Sequence, residues 1–229
     1  MKRPCRVACF VNEDAFADIE RLHRHLDAIK DICTVFCGRG TSTDTASLCV
    51  DVDARYHDFD YVVLLNPMDR QPFEHSINLC QRQDYYLRSL VGGSGRVLKM
   101  IELLECNPHE GLLMPSRDFY KAYCIRYYEQ WTAYSNEVKK DFSRNGVKFH
   151  FPLDAEPLRL ENNCAMFRTS ALEGFADLRL EAASPEKMAF LFPMFVQHNG
   201  FLPAYCDDPG LVANGISGRE FFEMTFPLG

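Results

Sequence analysis

Residues Asp60–Leu65 read Asp-Tyr-Val-Val-Leu-Leu, an apolar run with no polar alternation, cut off by Asn66-Pro67. A strand with one wet face alternates; an unbroken run belongs to a strand covered on both faces. Proline offers no N–H to a ladder and stops it. Such a strand needs paired neighbours at its sides and helices above and below, which makes the chain α/β. The upstream sequence supplies these parts. Arg6–Asn12 is β-rich, and Asp14–Ile32 carries Phe16, Ile19, Leu22, Leu26 and Ile29 at helical spacing. Cys33–Cys37 reads as a second strand closed by Gly38, and Gly40–Ala46 as a loop. In open sheets of this kind ligands sit at the carboxyl ends of the strands. That places Asn12, Glu13 and Asp14, and Asn66 to Arg70, at one candidate site.

Downstream, Ser94 is an expected N-cap for a helix with Val97, Leu98, Ile101 and Leu104 on its apolar face, ended by Asn107-Pro108. Gly111–Met114 is a short strand. Arg117–Arg144 is a Tyr-rich helix capped by Asn145-Gly146, and Val147–Phe151 is another strand. Pro152–Glu161 is an acidic loop, Cys164–Arg168 a strand, and Thr169 or Ser170 begins a short helix. Ser184-Pro185 starts a helix with Met188, Leu191 and Phe195, which ends at Asn199-Gly200. Leu202–Cys206 is the last strand expected. No internal repeat or clear linker interrupts residues 1–229, so a single domain is expected.

Charge narrows the function. Lys and Arg number 25 against 32 Asp and Glu, net −7, with no run of five like charges, so an extended nucleic-acid surface has no basic face to stand on. No apolar stretch reaches membrane-spanning length. The apolar segment behind the basic start ends at Asn12-Glu13-Asp14, too short for a secretory signal, so a cytoplasmic chain is expected. The ten cysteines contain no C-x-x-C, and most sit among apolar residues, as reduced structural thiols do. No His-x-x-x-His marks a zinc site, and Gly92-Gly93-Ser94-Gly95 lacks the Lys-Ser/Thr of a P-loop.

Residues 85–178 carry an ordered series of motifs. Leu90-Val91-Gly92-Gly93-Ser94 leads into a helix. Val97–Pro108 runs into Gly111-Leu112-Leu113-Met114-Pro115, and Trp131 and Tyr134 follow. The series closes with Asn163-Cys164-Ala165-Met166-Phe167-Arg168-Thr169-Ser170-Ala171-Leu172. This series resembles the rhamnan synthesis protein F family. The resemblance implies a GT-A-like glycosyltransferase fold, a mixed, mostly parallel sheet flanked by helices. It implies transfer of rhamnose from a dTDP-linked nucleotide sugar donor onto a cell-surface polysaccharide or lipid-linked glycan acceptor. A peripheral place at the inner face of the membrane is compatible with such an acceptor. The family's His-Asp-Lys segment is here Met68-Asp69-Arg70. Its Asn-x-Gly-Arg-Asp segment and its later Glu…Asp-Gly-Thr…His…Glu-Arg region have no counterpart.

Sugar transfer from a nucleotide donor needs neutralisation of the diphosphate and, for inversion, a carboxylate base. Asp69 is the first candidate, to hold Mg²⁺ or Mn²⁺ or to orient the sugar, with Arg70 on phosphate. The same residues also suit an ordinary turn after Pro67. Glu161 is the candidate base. Asn12, Asn66, Asn163 and Arg168 are candidate substrate-binding residues, although Asn12, Glu13 and Asp14 equally suit a helix N-cap. Asn163 also suits a loop position in left-handed geometry. Asp207-Asp208 could hold a divalent cation or, before Pro209-Gly210, form a β-turn. The Tyr120–Tyr134 aromatics suit helix packing more than stacking on a sugar. An active transferase and a non-catalytic relative that binds a sugar, a nucleotide or a partner enzyme both remain open. A hydrolase-like domain lacks its Gly-x-Ser-x-Gly elbow.

Overall fold

A computed structural model describes residues 5–38, 56–67, 79–115, 121–147, 157–160, 163–175, 177–180 and 184–206, with backbone only at 79, 81, 82, 121–130 and 185. In chain order the elements are β1 (Val7–Asn12), a 3₁₀ turn (Glu13–Ala15), α1 (Ile19–Asp27), β2 (Cys33–Gly38) and β3 (Tyr61–Leu65). Then come α2 (Leu79–Val91), α3 (Ser94–Cys106), β4 (Glu110–Met114) and α4 (Lys121–Arg144). The last are β5 (Cys164–Arg168), a second 3₁₀ turn (Thr169–Leu172), α5 (Pro185–His198) and β6 (Leu202–Tyr205).

The strands form one six-stranded sheet in the order β2-β1-β3-β5-β4-β6. β5 runs antiparallel to β3 and β4, and every other pairing is parallel. The chain is therefore mixed α/β with a mostly parallel sheet, as the sequence leads one to expect.

Alternation along the strands sorts two cores. Ala8, Phe10, Val62, Leu64, Leu112, Met114, Ala165 and Phe167 face one side and pack with Val138 and Phe142 of α4 and with α5 from Met188 to Val196. Val7, Cys9, Val11, Tyr61, Val63, Leu65, Cys164 and Met166 face the other. There they meet Leu22 and Leu26 of α1, Tyr86, Leu87, Leu90 and Val91 of α2, and Val97, Met100, Ile101 and Leu104 of α3. β1 and β3 are buried along their whole length, which is why β3 shows no polar alternation. At Gly111 in β4 a Cβ would stand 2.6 Å from both Ala171 Cβ and Phe201 Cβ, so only glycine lets these segments approach.

Helix ends follow local chemistry with some exceptions. Ser184 caps α5 through Lys187 N at 3.3 Å, with proline next to it. The expected first helix is shorter than its spacing suggests. Asp18 caps α1 by accepting from Arg21 N at 2.9 Å, and Ile19 is left 39% exposed. Ser94 does not cap α3. Gly93, at φ 145°, holds the N-cap position, and Ser94 Oγ donates to Ala28 O at 2.8 Å instead. Of the expected strand 147–151, only Val147 lies among the described residues, and it is not in a strand. It returns its N–H to Phe142 O beyond Gly146, at φ 68°. α2 has no counterpart among the expected elements. Trp131 packs on Phe190 with ring centroids 5.2 Å apart, a packing role for that aromatic.

Two features of α5 tie it to other parts of the chain. Lys187, fully buried, pairs with the equally buried Asp141 of α4. Pro193 lies inside the helix, where a proline costs about 3 kcal/mol relative to alanine. It has no N–H for the carbonyl four residues back, Ala189 O, and that oxygen accepts from Leu160 N at 2.8 Å. None of the described helices is long and apolar enough to cross a membrane.

Removing Asp141 takes the buried carboxylate from Lys187 and leaves it the half-exposed Glu137 at 3.9 Å. Asp141→Ala is expected to cost about 3–5 kcal/mol in urea unfolding. The double variant Asp141→Leu/Lys187→Met should recover most of that loss. The thiols make a second test. Burial pushes the Cys33 thiol up to about 11, whereas the unfolded chain ionises near about 8.5. The folded state therefore holds the proton longer. This contribution is complete below about pH 8.5 and is lost as pH rises toward 11. Cys33→Val should flatten the alkaline limb of a stability–pH profile in that window.

Candidate functional site

The carboxyl ends of β1, β3, β4 and β6 lie at one edge of the sheet, because these strands run parallel to one another. β5 runs the other way, so its amino end, preceded by Asn163, arrives at the same edge. Its first residue, Cys164, pairs with Leu65, the last of β3. The asparagines flanking that rung, Asn66 and Asn163, are both buried. Asn163 has φ 47°, the left-handed backbone that asparagine accepts more readily than most residues.

Asn12 closes β1 at this edge. It occupies the N-cap position of the 3₁₀ turn but makes no side-chain cap bond. Its Nδ2 donates to Asn66 Oδ1 at 2.9 Å, within the protein. The bond ties the end of β1 to the end of β3. Buried amides need such partners, since an unmade hydrogen bond here would cost about 1–3 kcal/mol.

Beside them, Glu13 is buried and lies 3.0 Å from His23 Nε2 on α1, whose side chain is half exposed. Asp14 is exposed. The segment from Ala15 to Ala17 is held by Gln83 of α2. Gln83 Nε2 donates to Ala15 O at 2.9 Å, and its Oε1 accepts from Ala17 N at 2.8 Å. Nothing in the sequence around Gln83 singles it out, because its role depends on a partner segment far away in the chain. The edge thus gathers buried amide groups, those of Asn12, Asn66 and Gln83 bonded within the protein, and one carboxylate engaged with an imidazole.

The remaining candidates divide. Arg168 ends β5 and so lies at the opposite edge, paired with Tyr61 at the start of β3. Its guanidinium donates to Leu104 O and, at 3.4 Å, to Glu110 O. It lies 3.8 Å from Glu105 and 5.7 Å over the Tyr61 ring. It closes the carbonyl end of α3 and does not join the asparagines. Tyr61 hydroxyl donates to Glu105 there. Burial first, and that hydrogen bond second, raise the phenol well above its ordinary value against the opposing Arg168 charge. Asp69, Arg70, Glu161, Asp207 and Asp208 lie outside the described residues. Among the described residues, no group of three His, Cys, Asp or Glu side chains is arranged to hold a metal ion.

Gln83→Leu keeps the size of the side chain but leaves Ala15 O and Ala17 N without their partner. It should cost about 1–3 kcal/mol per lost bond in chemical denaturation.

No protein-family model matches the chain, so the resemblance to the rhamnan synthesis protein F family rests on its motifs alone. No curated protein matches it either. Among solved structures, it is similar to a mannosyltransferase of Pyrobaculum calidifontis, solved in complex with GDP-Man and Mn²⁺. The two share 15% identity at a TM-score of 0.38, over 90% of this chain and 56% of the other. The chain thus spans little more than half the length of that protein.

Proposed function

We propose that the carboxyl edge of the sheet is a nucleotide-sugar site and that the chain is a glycosyltransferase, built as one domain. The observation that supports this most is the convergence of Asn12, Asn66 and Asn163 at that edge. The sequence next to the same strand ends carries the charged candidates. Asp69 and Arg70 follow Asn66-Pro67, Glu161 precedes Asn163, and Asp207 and Asp208 follow β6. In this reading the asparagine amides meet hydroxyls of the donor, and Arg70 meets its diphosphate. In an inverting transfer Glu161 takes the proton of the acceptor hydroxyl as its oxygen bonds to the anomeric carbon. The bond to the diphosphate oxygen breaks, and the nucleoside diphosphate leaves with the electron pair. Asp69, Asp207 and Asp208 are the carboxylates that would hold Mg²⁺ or Mn²⁺. When bound, the ion would neutralise charge on the leaving diphosphate. The finer assignment follows the family resemblance: rhamnose from a dTDP-linked donor, a cell-surface polysaccharide or lipid-linked glycan acceptor, and a cytoplasmic site at the inner face of the membrane.

Thermal denaturation against dTDP-rhamnose, GDP-mannose and UDP-sugars, with and without Mn²⁺, tests the proposal. A donor at a hundred times its Kd adds about 2.7 kcal/mol and should raise Tm by several degrees. Asp69→Ala should remove that gain. No effect of any donor at millimolar concentration would overturn the proposal. A rise in Tm without any donor hydrolysis or transfer would favour the non-catalytic binder.

A further inference from the structure

We propose that Pro193 is a positioning residue of the carboxyl-edge site, acting through the backbone of residues 157–160. Its part in ligand binding rests on the nucleotide-sugar reading of that edge. A helix-interior carbonyl already accepts from the N–H four residues on, so an outside donor must share it. Pro193 breaks that rule at one point. It has no N–H to give Ala189 O, and Leu160 N donates to that oxygen at 2.8 Å. The neighbouring turn adds a second hold, with the Arg159 guanidinium 5.9 Å over the Phe190 ring. Leu160 is fully buried, and so are Asn163 and Cys164. The docked Leu160 lies three residues in sequence before Asn163, next to the rung where Cys164 pairs with Leu65. Any residue with an N–H at position 193 would supply Ala189 O from within the helix and compete with Leu160.

The property that matters is thus a missing donor, not a side-chain shape, and two variants separate them. Pro193→Ala removes volume; Pro193→Val nearly keeps it. Both restore the N–H. In the full chain, both should speed hydrogen exchange at the Leu160 amide by about tenfold or more without lowering Tm. Both should weaken binding of the sugar nucleotide that stabilises the wild type by about tenfold. A Leu160 amide as slow in both variants as in the wild type overturns the docking role. So does an effect confined to Pro193→Ala, which would report a cavity. Faster exchange with unchanged nucleotide affinity overturns the link to the site. A wild-type chain that binds no sugar nucleotide overturns the nucleotide-sugar reading and that link together, while the Leu160 amide still decides the docking.

Discussion

The pairing of β5 between β3 and β4 sets the rest of the structure. A sheet of parallel strands alone would collect only strand ends at its carboxyl edge. Inserting one strand in the opposite direction adds the start of β5 to that edge and sends its end to the other. One residue pair, Leu65 with Cys164, thereby puts Asn163 beside Asn66. The same pairing, read to its other end, puts Arg168 beside Tyr61, Glu105 and the carbonyl end of α3. The antiparallel direction assigns one motif, Asn163 to Arg168, to two unrelated tasks.

Several polar groups that this arrangement buries are tied to distant segments. Asn12 holds Asn66, Gln83 holds the chain between β1 and α1, and Lys187 holds Asp141. Asn145 and Asn199 do the same from helix ends, bonding the backbone at Arg179 and at Ala171 and Glu173. Burying Asn12, Asn66, Gln83, Asp141 or Lys187 without its partner would cost more than the bond returns. The result is a sheet whose apolar faces supply the bulk of the stability, while hydrogen bonds select one arrangement of the connecting segments.

Much of the scaffold is legible in the sequence because its signals are local. The β3 run, its stop at Asn66-Pro67, and the Ser184-Pro185 start and Asn199-Gly200 stop of α5 all act on neighbouring backbone. Where local signals compete, the sequence reads less well. Ser94 has the chemistry of a cap, but a carbonyl at the end of α1 takes its hydroxyl. Asn12 has the chemistry of a cap too, and its amide crosses to β3. In α2 a polar run, Gln81-Arg82-Gln83-Asp84, hides a helix whose apolar face is carried by Tyr86, Leu87, Leu90 and Val91.

By itself, then, the sequence determined the class of fold, the central buried strand and most element boundaries. These depend on periodicity, caps and breakers, which act over a few residues. Only the tertiary structure decided that Asn12 and Asn66 bond to each other, that Gln83 holds the segment after β1 and that Arg168 belongs to the opposite edge. It also decided that a proline inside α5 leaves a carbonyl for Leu160. Each of these joins residues distant in sequence, through a strand direction or a helix packing that no short window of residues encodes.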